Sequence, residues 1–421
     1  MSAELIGGPG RSVSADEARH FVNERLRSVP LDGRSLCVVI PDSTRSCPLP
    51  LLLRAVHDAV DGRVSRLTVL IALGTHPPMD EAQLAAHLGY AEGRLAETFP
   101  RTTVVNHEWW IPEALVSVGE LPAREVATLA EGRFEEPVTV TVNRHVVDHD
   151  VVLVMGPVFP HEVVGFSGGN KYFFPGVAGR EIIDLTHWLG ALIGNTGIIG
   201  MPGVTPVRAV IDRAAAMIPS ERLCLAAVVA SGTKDLHSLA FGTPEDAWAA
   251  SAKVSAQTHV RYLEKPVRRV LSLVSERYDE LWTASKGMYK VEPIVADGGE
   301  VVVHAPHVHE VSRTHGALIE KIGYHCRDYF TGQWERFADV SRSVLAHSTH
   351  LRGDGSYDPS LGERCRVRVT LATGLDEART RALGLDYRDP ATIDPAEWER
   401  DPDTLVVHNA GEILFRLKSS G

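Results

Sequence analysis

Short apolar runs alternate with amphipathic stretches along the first half of the chain. Ser35–Pro41 and Val151–Met155 are continuous apolar runs typical of buried strands, and Leu49–Val60 has apolar residues at helical spacing. A further strand at Leu67–Leu73 precedes a helical stretch from Asp80 to Leu88. Strand, polar loop and helix therefore recur, which favours a parallel α/β sheet whose functional loops follow the carboxyl ends of its strands.

The same alternation begins again in the second half of the chain. It predicts strands at Val267–Val274 and Glu300–His304, with a helix at Asp279–Lys290 between them. A last strand is predicted at Thr404–His408. The fold class that we expect is therefore α/β throughout, with a second sheet built on the same principle as the first.

This pattern predicts two α/β domains with the active site in the cleft between them. Residues 1–263 would form a cofactor-binding domain and residues 264–403 a domain that contributes to the substrate cleft. The segment 404–421 is a candidate to return to the first domain.

Composition narrows the class of protein. The chain has 421 residues, of which 44% are hydrophobic, so it is long enough for two domains with substantial cores. Its formal net charge of −11 argues against nucleic acid as a partner, because proteins that bind nucleic acid usually present a basic face. No apolar run approaches the roughly 18 residues that span a bilayer, and the N-terminus does not resemble a secretory signal. We expect a cytoplasmic protein without a membrane partner.

Cysteine usage gives no sign of a disulfide framework or a thiolate zinc site. No two cysteines are spaced as C-x-x-C, and we expect most of them to be reduced thiols in the core. The five are Cys37, Cys47, Cys224, Cys326 and Cys365.

Polar residues follow three of the predicted strands. Parallel strands bring their carboxyl ends to one edge of a sheet, so we expect these loops to line one crevice. Histidine, arginine, lysine and exposed amide groups there suit an anionic ligand and proton transfer. The residues are Asp42, Ser43, Thr44 and Arg45 after the first strand, Thr75 and His76 after the second, and His161, Gly168, Gly169 and Lys171 after the third.

Each part of this set also has a structural interpretation. A histidine such as His76 is often a hydrogen-bonded core residue, and the sequence from Asp42 to Thr44 could cap the following helix. Arg45 would then be a surface charge. The SGGNK run is not a nucleoside-triphosphatase loop, because Lys171 is followed by Tyr172 and the glycine spacing differs.

The stretch from His161 to His187 concentrates the most chemistry. It reads HEVVGFSGGNKYFFPGVAGREIIDLTH and supplies a base, an amine nucleophile and a metal ligand among five glycines. Together with PDSTRSCP and GTHPPM, it resembles the nickel-pincer-nucleotide-dependent lactate racemase family. The resemblance covers the first domain and continues into the second at WTASKG, and His161, Lys171 and His187 match in both type and spacing.

The resemblance implies a cofactor and the residues that hold it. The cofactor is a pyridinium-3-thioamide-5-thiocarboxylate mononucleotide that binds nickel through two sulfurs and a ring carbon. Lys171 would hold it covalently through the thioamide, and His187 would complete the nickel coordination, for which imidazole is a suitable ligand. The remaining residues of the predicted cofactor-binding set are Asp42, Ser43, Thr44, Arg45, Gly168 and Gly169.

The resemblance also implies the reaction. His76 and His161 match the two acid/base histidines of the family, while Arg45 and Lys286 would hold the substrate carboxylate. One histidine would remove the hydroxyl proton as hydride leaves for the pyridinium ring. The keto group would then rotate, and hydride would return to its other face with the second histidine as proton donor. The implied enzyme is a racemase or epimerase of a 2-hydroxy acid.

Near Lys286 the sequence departs from the lactate enzymes. Trp282 and Thr283 stand where those enzymes have Tyr-Gln. A larger ring and a missing amide change the shape and the hydrogen bonding of the pocket. We therefore expect Trp282 and Thr283 to contact the substrate, and lactate not to be the best substrate.

Two further segments carry residues of uncertain role. HAPHVHEVSRTHG, from His304 to His315, either lies in the cleft and helps to choose the substrate or forms an additional metal site, although its spacing marks no full ligand set. The pair Trp109-Trp110 is either core packing or part of the cleft wall.

Nothing in the chain suggests that it makes the cofactor, so we expect cofactor-biosynthesis proteins as partners in maturation. Two other functions stay open. The chain could use the same cofactor as a 2-hydroxyacid dehydrogenase and release the keto acid, or it could bind hydroxy acids without catalysis. The sequence does not indicate an oligomeric state.

Overall fold

The computed structural model describes residues 2–74 and 76–418 and has an α/β architecture. The chain divides into two compact units. The first consists of Met1–Phe159, Phe166–Ile183 and Pro202–Thr258, and the second of Pro160–Gly165, Asp184–Met201 and His259–Gly421. Thr75, one of the loop residues named above, lies outside the described residues.

Strands and helices alternate along both units. The strands are β1 Glu4–Gly7, β2 Ser35–Pro41, β3 Arg66–Ala72, β4 Thr102–Asn106, β5 Leu115–Leu121, β6 Val138–Asn143, β7 Val151–Pro157, β8 Pro160–His161, β9 Gly165–Phe166, β10 Glu221–Val229, β11 Leu236–Gly242, β12 Val260–Leu263, β13 Val267–Val274, β14 Val295–Ala305, β15 Gly355–Asp358, β16 Gly362–Cys365, β17 Arg368–Thr373, β18 Asp386–Tyr387, β19 Thr404–Ala410 and β20 Leu414–Leu417. The α-helices are α1 Ala15–Arg27, α2 Leu49–Val60, α3 Glu81–Leu88, α4 Leu95–Thr98, α5 Ala123–Leu129, α6 Arg144–Val147, α7 Arg180–Ile193, α8 Asn195–Ile198, α9 Pro206–Ala215, α10 Pro244–His259, α11 Leu281–Ala284, α12 Lys286–Tyr289, α13 Gly316–Ile322, α14 Arg327–Thr331, α15 Trp334–Phe337, α16 Arg342–Arg352, α17 Glu377–Ala382 and α18 Pro395–Trp398.

The first unit is built on a seven-stranded sheet. Its strand order is β1-β11-β10-β7-β2-β3-β4, and the strands from β10 to β4 are parallel. Both β2 and β7 are buried along their whole length, because helices cover parallel sheets and the strands are accordingly apolar. β7, β2 and β3 are neighbours, so the loops that follow them begin at the same edge of the sheet.

The second unit has a five-stranded parallel sheet of order β18-β17-β14-β13-β19. Leu271, Val302 and Ala372 on its three central strands pack in a core cluster with Ile393 and Trp398. β19 pairs with β13 in this sheet. The expectation that the segment from residue 404 returns to the first domain is therefore wrong, because the apolar strand at 404–410 finds its hydrogen-bonding edge in the second sheet.

Two other features differ from the sequence-based expectations. The stretch Asp279–Lys290 is not one helix, since α11 and α12 are separate short helices. The two units are also not separated by one cut of the chain, because residues 160–165 and 184–201 group with the second unit. Over the described residues, no helix is both long and apolar enough to cross a membrane.

Candidate functional site

The loops after β2 and β3 are joined by a buried carboxylate. Asp42 is 5% exposed, and its Oδ2 accepts a short hydrogen bond from Nδ1 of His76. Its Oδ1 accepts from the backbone N–H and the hydroxyl of Thr44, at 3.1 and 2.6 Å. Burial by itself would raise the pKa of the Asp42 carboxyl group. The charge and hydrogen bond of His76, with the charge of Arg45, instead hold that pKa well below its ordinary value.

This arrangement excludes the capping interpretation of the Asp42 segment. Helix α2 begins at Leu49, and the residue before it, Pro48, offers no side-chain cap. The hydrogen bonds that Asp42 accepts come from Thr44 and His76 instead. A buried carboxylate that accepts from Nδ1 assigns the proton of the neutral imidazole to Nδ1, and it leaves Nε2 of His76 as a proton acceptor.

Further contacts bring the other predicted loop residues to this edge of the sheet. The guanidinium carbon of Arg45 lies 5.2 Å from the ring centroid of Phe159, which follows β7. The N–H of Gly74, after β3, donates to the carbonyl of Gly176 at 3.0 Å. Ser43 is exposed, and no contact described here gives it a specific role. The predicted convergence of the loops in the first unit is thus present for Asp42, Arg45 and His76.

Lys171 lies on a tight 3₁₀ turn, Gly169–Tyr172, and is half-buried. Gly168 and Gly169 have φ angles of +87° and +58°, which favour glycine. Space is also restricted there, because a Cβ on Gly169 would lie 2.8 Å from Cβ of Trp248. These two glycines are therefore required by the shape of the turn that carries Lys171.

His161 and His187 belong to the second unit. His161 is buried, and its Nδ1 accepts from the N–H of Val163 at 3.2 Å, with Oε2 of Glu162 at 3.3 Å. A Cβ on Gly190 of helix α7 would lie 2.9 Å from the carbonyl oxygen of Val163. The His161 loop therefore packs directly on helix α7, which carries His187 about one turn before that contact.

The predicted substrate residues of the second unit lie among aromatic rings. Trp282 stacks on His347 with centroids 3.8 Å apart, and on its other neighbour, His315, at 4.7 Å. The hydroxyl of Thr283 donates to the carbonyl of Glu280 at 3.1 Å. Its hydrogen bond therefore supports local structure.

Lys286 is nearly buried, at 7% exposure. Its ammonium lies 4.8 Å from the ring centroid of Tyr278, within the range of a cation–π interaction. It also donates to the carbonyl of Thr283 at 3.4 Å.

Two histidines that sequence reasoning did not select belong to the same neighbourhood. His347 and His350 are one turn apart on α16 and are both buried. Burial, together with the charges of His350, His315, Lys286 and His187, holds the pKa of His347 well below its ordinary value. Burial likewise lowers the pKa of His350 to about 4, although Glu162 acts in the opposite direction. The i, i+3 spacing of two histidines in an amphipathic stretch could have indicated them.

His350 is oriented by a reciprocal pair of hydrogen bonds. Nδ2 of Asn195 donates to the carbonyl of His350 at 2.9 Å, and Oδ1 of Asn195 accepts from Nδ1 of the imidazole. The second bond assigns the proton to Nδ1. The opposite nitrogen, Nε2, is buried and has no hydrogen-bond partner among the described residues.

The structure gives contacts for some residues of the segment His304–His315 and of the pair Trp109-Trp110. Nε2 of His307 is 3.1 Å from the carbonyl of Tyr278, and His309 is exposed. Within this segment, the ring of His315 lies 4.7 Å from that of Trp282, and the carbonyl of Val311 accepts from the N–H of Trp282 at 2.9 Å. Across residues 2–74 and 76–418, no cluster of three or more His, Cys, Asp or Glu residues could hold a metal ion. Of the tryptophan pair, Trp110 is 43% exposed.

Each unit therefore brings together its own share of the predicted site. Asp42, Thr44, Arg45 and His76 lie with the Lys171 turn in the first unit, whereas the second unit contains the remaining predicted residues. These are His161, His187, Trp282, Thr283 and Lys286. The meeting of the two groups in one cleft stays a prediction.

Comparison with known proteins shows a similarity to lactate racemases over part of the chain. Residues 18–197 match the model of the lactate racemase N-terminal domain, a range that contains His76, His161, Lys171 and His187. Two lactate racemases are also similar to part of this chain. The enzyme of Thermoanaerobacterium thermosaccharolyticum is 26% identical over 168 residues, and that of Lactiplantibacillus plantarum is 22% identical over 169 residues. This part of the chain is therefore similar to the lactate racemase N-terminal domain.

The sequence match to these two racemases is partial. Each covers 39% of this chain and only 34% or 35% of the racemase itself. Among solved structures, a protein from Thermotoga maritima is 31% identical with a TM-score of 0.89, and the match covers 98% of this chain and 100% of that protein.

The lactate racemase apoprotein of Thermoanaerobacterium thermosaccharolyticum has the same fold. Its TM-score is 0.71 at 18% identity, and the match covers 96% of this chain and 93% of that protein. The family fold therefore extends beyond the residues that align with the curated racemases in sequence.

Proposed function

We propose that this protein is a racemase or epimerase that inverts the C2 carbinol of a small 2-hydroxy acid. The observation that carries the proposal is the pairing of His76 with the buried carboxylate of Asp42 at the sheet edge that also holds the Lys171 turn. A histidine oriented in this way is suited to proton transfer at a substrate hydroxyl group. The similarity to lactate racemases supports the class of reaction.

The two predicted acid/base histidines have opposite tautomers in their neutral forms. Nδ1 of His76 donates to Asp42, so its Nε2 accepts a proton. Nδ1 of His161 accepts from the N–H of Val163, so its Nε2 carries the proton. In one direction neutral His76 would take the hydroxyl proton at Nε2, and His161, starting as the imidazolium ion with Nδ1 protonated towards Glu162, would return a proton from Nε2 to the other face. After that transfer the protonation states are exchanged, which suits the reverse direction.

A carboxylate lies beside each of the two histidines, His76 and His161, and can pair with its imidazolium form. Asp42 would stabilise an imidazolium at His76, and Glu162, whose Oε2 lies 3.3 Å from Nδ1 of His161, would accept a hydrogen bond from that nitrogen once the ring is cationic. Each histidine can therefore hold the transferred proton without leaving a buried charge unpaired.

Arg45 and Lys286 would bind the substrate carboxylate. A guanidinium group can form two parallel hydrogen bonds with a carboxylate, whereas an ammonium group acts as a point charge. Arg45 is half-buried, and Lys286 is almost fully buried. Anchoring the carboxylate would let the keto group rotate about its bond to the carboxylate while the rest of the substrate stays in place.

The residues present fit the nickel-pincer nucleotide that the family resemblance implies. Lys171 offers an amine on a turn that contains two glycines of positive φ, and His187 offers an imidazole on a helix. We propose that Lys171 holds the nucleotide and that His187 binds its nickel. When bound, this group would accept hydride from the substrate carbon and return it.

The substrate is proposed to be larger or more polar than lactate. Trp282 lies against two imidazole rings and Thr283 uses its hydroxyl internally, so this wall is aromatic and rigid. Turnover of lactate should be compared with that of larger 2-hydroxy acids and sugar acids. A clear preference for lactate would overturn this part of the proposal.

The decisive experiment is the intact mass and nickel content of protein co-expressed with a cofactor-making pathway. Lys171→Ala is the test variant, and Lys253→Ala, an exposed lysine of the same unit, is the matched control. A nucleotide-sized covalent mass gain with nickel is expected in the wild type and the control only. Absence of both from the wild type, despite a pathway proven on a known racemase, would overturn the cofactor assignment.

Product analysis of the loaded protein separates the alternatives. Interconversion of enantiomers without net oxidation is expected for a racemase. Net keto-acid formation with an external acceptor would instead support a dehydrogenase, and tight binding without turnover a binding protein. The need for cofactor-biosynthesis proteins and the cytoplasmic location remain proposals that the co-expression experiment and fractionation of the native cells would test.

A further inference from the structure

Arg208 is one of the largest fully buried side chains of the described residues, at 1% exposure on helix α9. Its two terminal nitrogens donate to backbone carbonyls of the loop before Lys171, at 3.0 Å to Gly168 and 2.5 Å to Phe166. Its guanidinium carbon lies 4.3 Å from a ring centroid of Trp248 on helix α10. The guanidinium group therefore connects two helices to the Lys171 loop.

Asn170, the residue before the lysine, is held by three side-chain hydrogen bonds. Its Nδ2 donates to Oδ1 of Asp212 at 3.0 Å and to Oε1 of Glu245 at 2.7 Å. Its Oδ1 accepts from Nη1 of Arg222 at 3.0 Å. Both amide hydrogens and the amide oxygen are used, which fixes the orientation of the side chain.

A buried guanidinium ion is costly unless its charge and its N–H groups are compensated. Burial lowers the pKa of Arg208 to about 10, and Asp212 and Glu245 oppose that shift. The donors of Arg208 point at two carbonyls of a glycine-containing loop and away from the solvent. A core filled only for stability would need an apolar side chain here, so the polar group has a more specific use.

We interpret the buried polar contacts of Arg208 as fixing the shape of the turn that carries Lys171. A 3₁₀ turn with two successive glycines of positive φ has few internal hydrogen bonds and many accessible conformations. Side chains from α9, α10 and β10 contact it at Gly168 and Asn170, on either side of Gly169. The backbone directly before Lys171 is therefore braced from three elements.

We propose that Arg208 and Asn170 are positioning residues that hold the Lys171 turn in the conformation required for attachment of a covalent cofactor. The proposal rests on the proposed function, since it assigns the attachment to Lys171. It predicts that the turn already has this conformation in protein that carries no cofactor. The effect of Arg208 and Asn170 on the turn can therefore be measured without enzyme activity.

The test compares Arg208→Met, Arg208→Lys and Asn170→Ala with the wild type. Arg269→Met is the matched control, because Arg269 also covers a tryptophan, Trp398, but belongs to the second unit. The first readout is the acetylation rate of Lys171 by acetic anhydride in cofactor-free protein, relative to that of exposed Lys253 in the same sample, read by peptide mass spectrometry. The second readout is the fraction of protein that gains the covalent adduct after co-expression.

We expect the Lys171 to Lys253 ratio to rise at least threefold in Arg208→Met and Asn170→Ala, because a loosened turn exposes the amine. The adduct fraction should fall at least tenfold. Arg208→Lys should recover part of both effects, since an ammonium can still donate to one carbonyl, and Arg269→Met should change neither. Arg208→Lys and Asn170→Ala keep the test available if Arg208→Met does not fold.

Folded variants with a wild-type ratio and a wild-type adduct fraction would overturn the positioning role. The two proposals can fail separately. If the wild type gains no adduct, the proposed function fails, while the acetylation ratio still decides whether Arg208 and Asn170 hold the lysine. If the wild type gains the adduct and the variants gain it equally, only the positioning role fails.

Discussion

The histidine after β3 and the histidines of α16 are held by opposite electrostatic environments. His76 is in contact with a buried carboxylate, Asp42, whose pKa is kept well below its ordinary value by that histidine and by Arg45. His347 and His350 lie in the second unit among other bases, and burial together with those charges lowers their pKa values. The first environment places a carboxylate on the histidine ring, whereas the second favours neutral imidazole.

The difference separates two uses of histidine in one chain. A proton-transfer group must be able to hold a proton, so a carboxylate partner is needed. Histidines that must stay neutral can pack against aromatic rings, as His347 does against Trp282. Residue type alone would have made these histidines equivalent.

The largest effect should follow from breaking the Asp42–His76 pair. Asp42→Asn replaces an acceptor by an amide that can donate to Nδ1, which would transfer the imidazole proton to Nε2 and remove the base. We expect kcat of the loaded enzyme to fall roughly 10²- to 10⁴-fold, with a much smaller change in KM. Steady-state kinetics at normalised adduct content would measure this.

Two further variants serve as controls for that prediction. His76→Gln should cost about as much as Asp42→Asn, and the double variant should cost little more than either, because the two residues act as a unit. Thr44→Val, which removes only the hydroxyl bond to Asp42, should have a smaller effect. Independent, additive losses would show that the pair does not act together.

A second, intermediate effect is expected in the pH dependence of stability. The folded-state pKa of His350 is about 4, below the ordinary value of 6.5, so the unfolded chain binds its proton first as the pH falls. The stability associated with the neutral ring is therefore complete above about pH 6.5 and is lost progressively as the pH falls towards 4. The loss is of the order of 3 kcal/mol for this residue.

The variant His350→Asn would test whether stability is lost in this direction as the pH falls. Asparagine can still donate to Asn195 but does not titrate, so the variant should unfold with a flatter pH dependence between pH 6.5 and 4. Urea unfolding at several pH values measures the slope. His20→Asn, at an exposed histidine of the first unit, should leave the slope unchanged. An unaltered slope in His350→Asn would mean that the buried ring does not control acid stability.

The smallest effect should come from the aromatic stack of the second unit. Trp282→Phe keeps an aromatic ring but loses part of the contact with His347 and His315. A loss of about 1 kcal/mol in the free energy of unfolding is expected, together with a several-fold change in relative kcat/KM between small and large hydroxy acids. Trp110→Phe, at the exposed tryptophan, is the control. Unchanged substrate preference would remove Trp282 from the specificity-determining residues.

Much of the fold could be predicted from local patterns. The strand Ser35–Pro41, the helix Leu49–Val60 and the strand Val267–Val274 have the bounds that their apolar patterns indicate. The division of Asp279–Lys290 into two helices was not predicted, since its helical residues conceal the break at Ser285. The pairing of β19 was also missed, because a short apolar strand carries no information about the edge that it will join.

The site could be predicted in its residue types but only partly in its contacts. Parallel strands and their polar loops indicated that Asp42, Arg45 and His76 would lie near one another. The direct bond from His76 to Asp42 was not indicated, and neither were His347 and His350. Arg208 was not selected from the sequence either, because nothing within α9 shows that its guanidinium group reaches a loop 40 residues earlier.

The sequence by itself determined the α/β class, most elements of the sheets, the family resemblance and the chemistry available at Lys171 and the predicted histidines. Only the tertiary structure decided which of these groups face a charge, a ring or a carbonyl. The physical reason is range: helix and strand preferences act between residues a few positions apart. The bonds of Asp42 to His76 and of Arg208 to Gly168 depend on strand order and helix packing, which bring distant segments together.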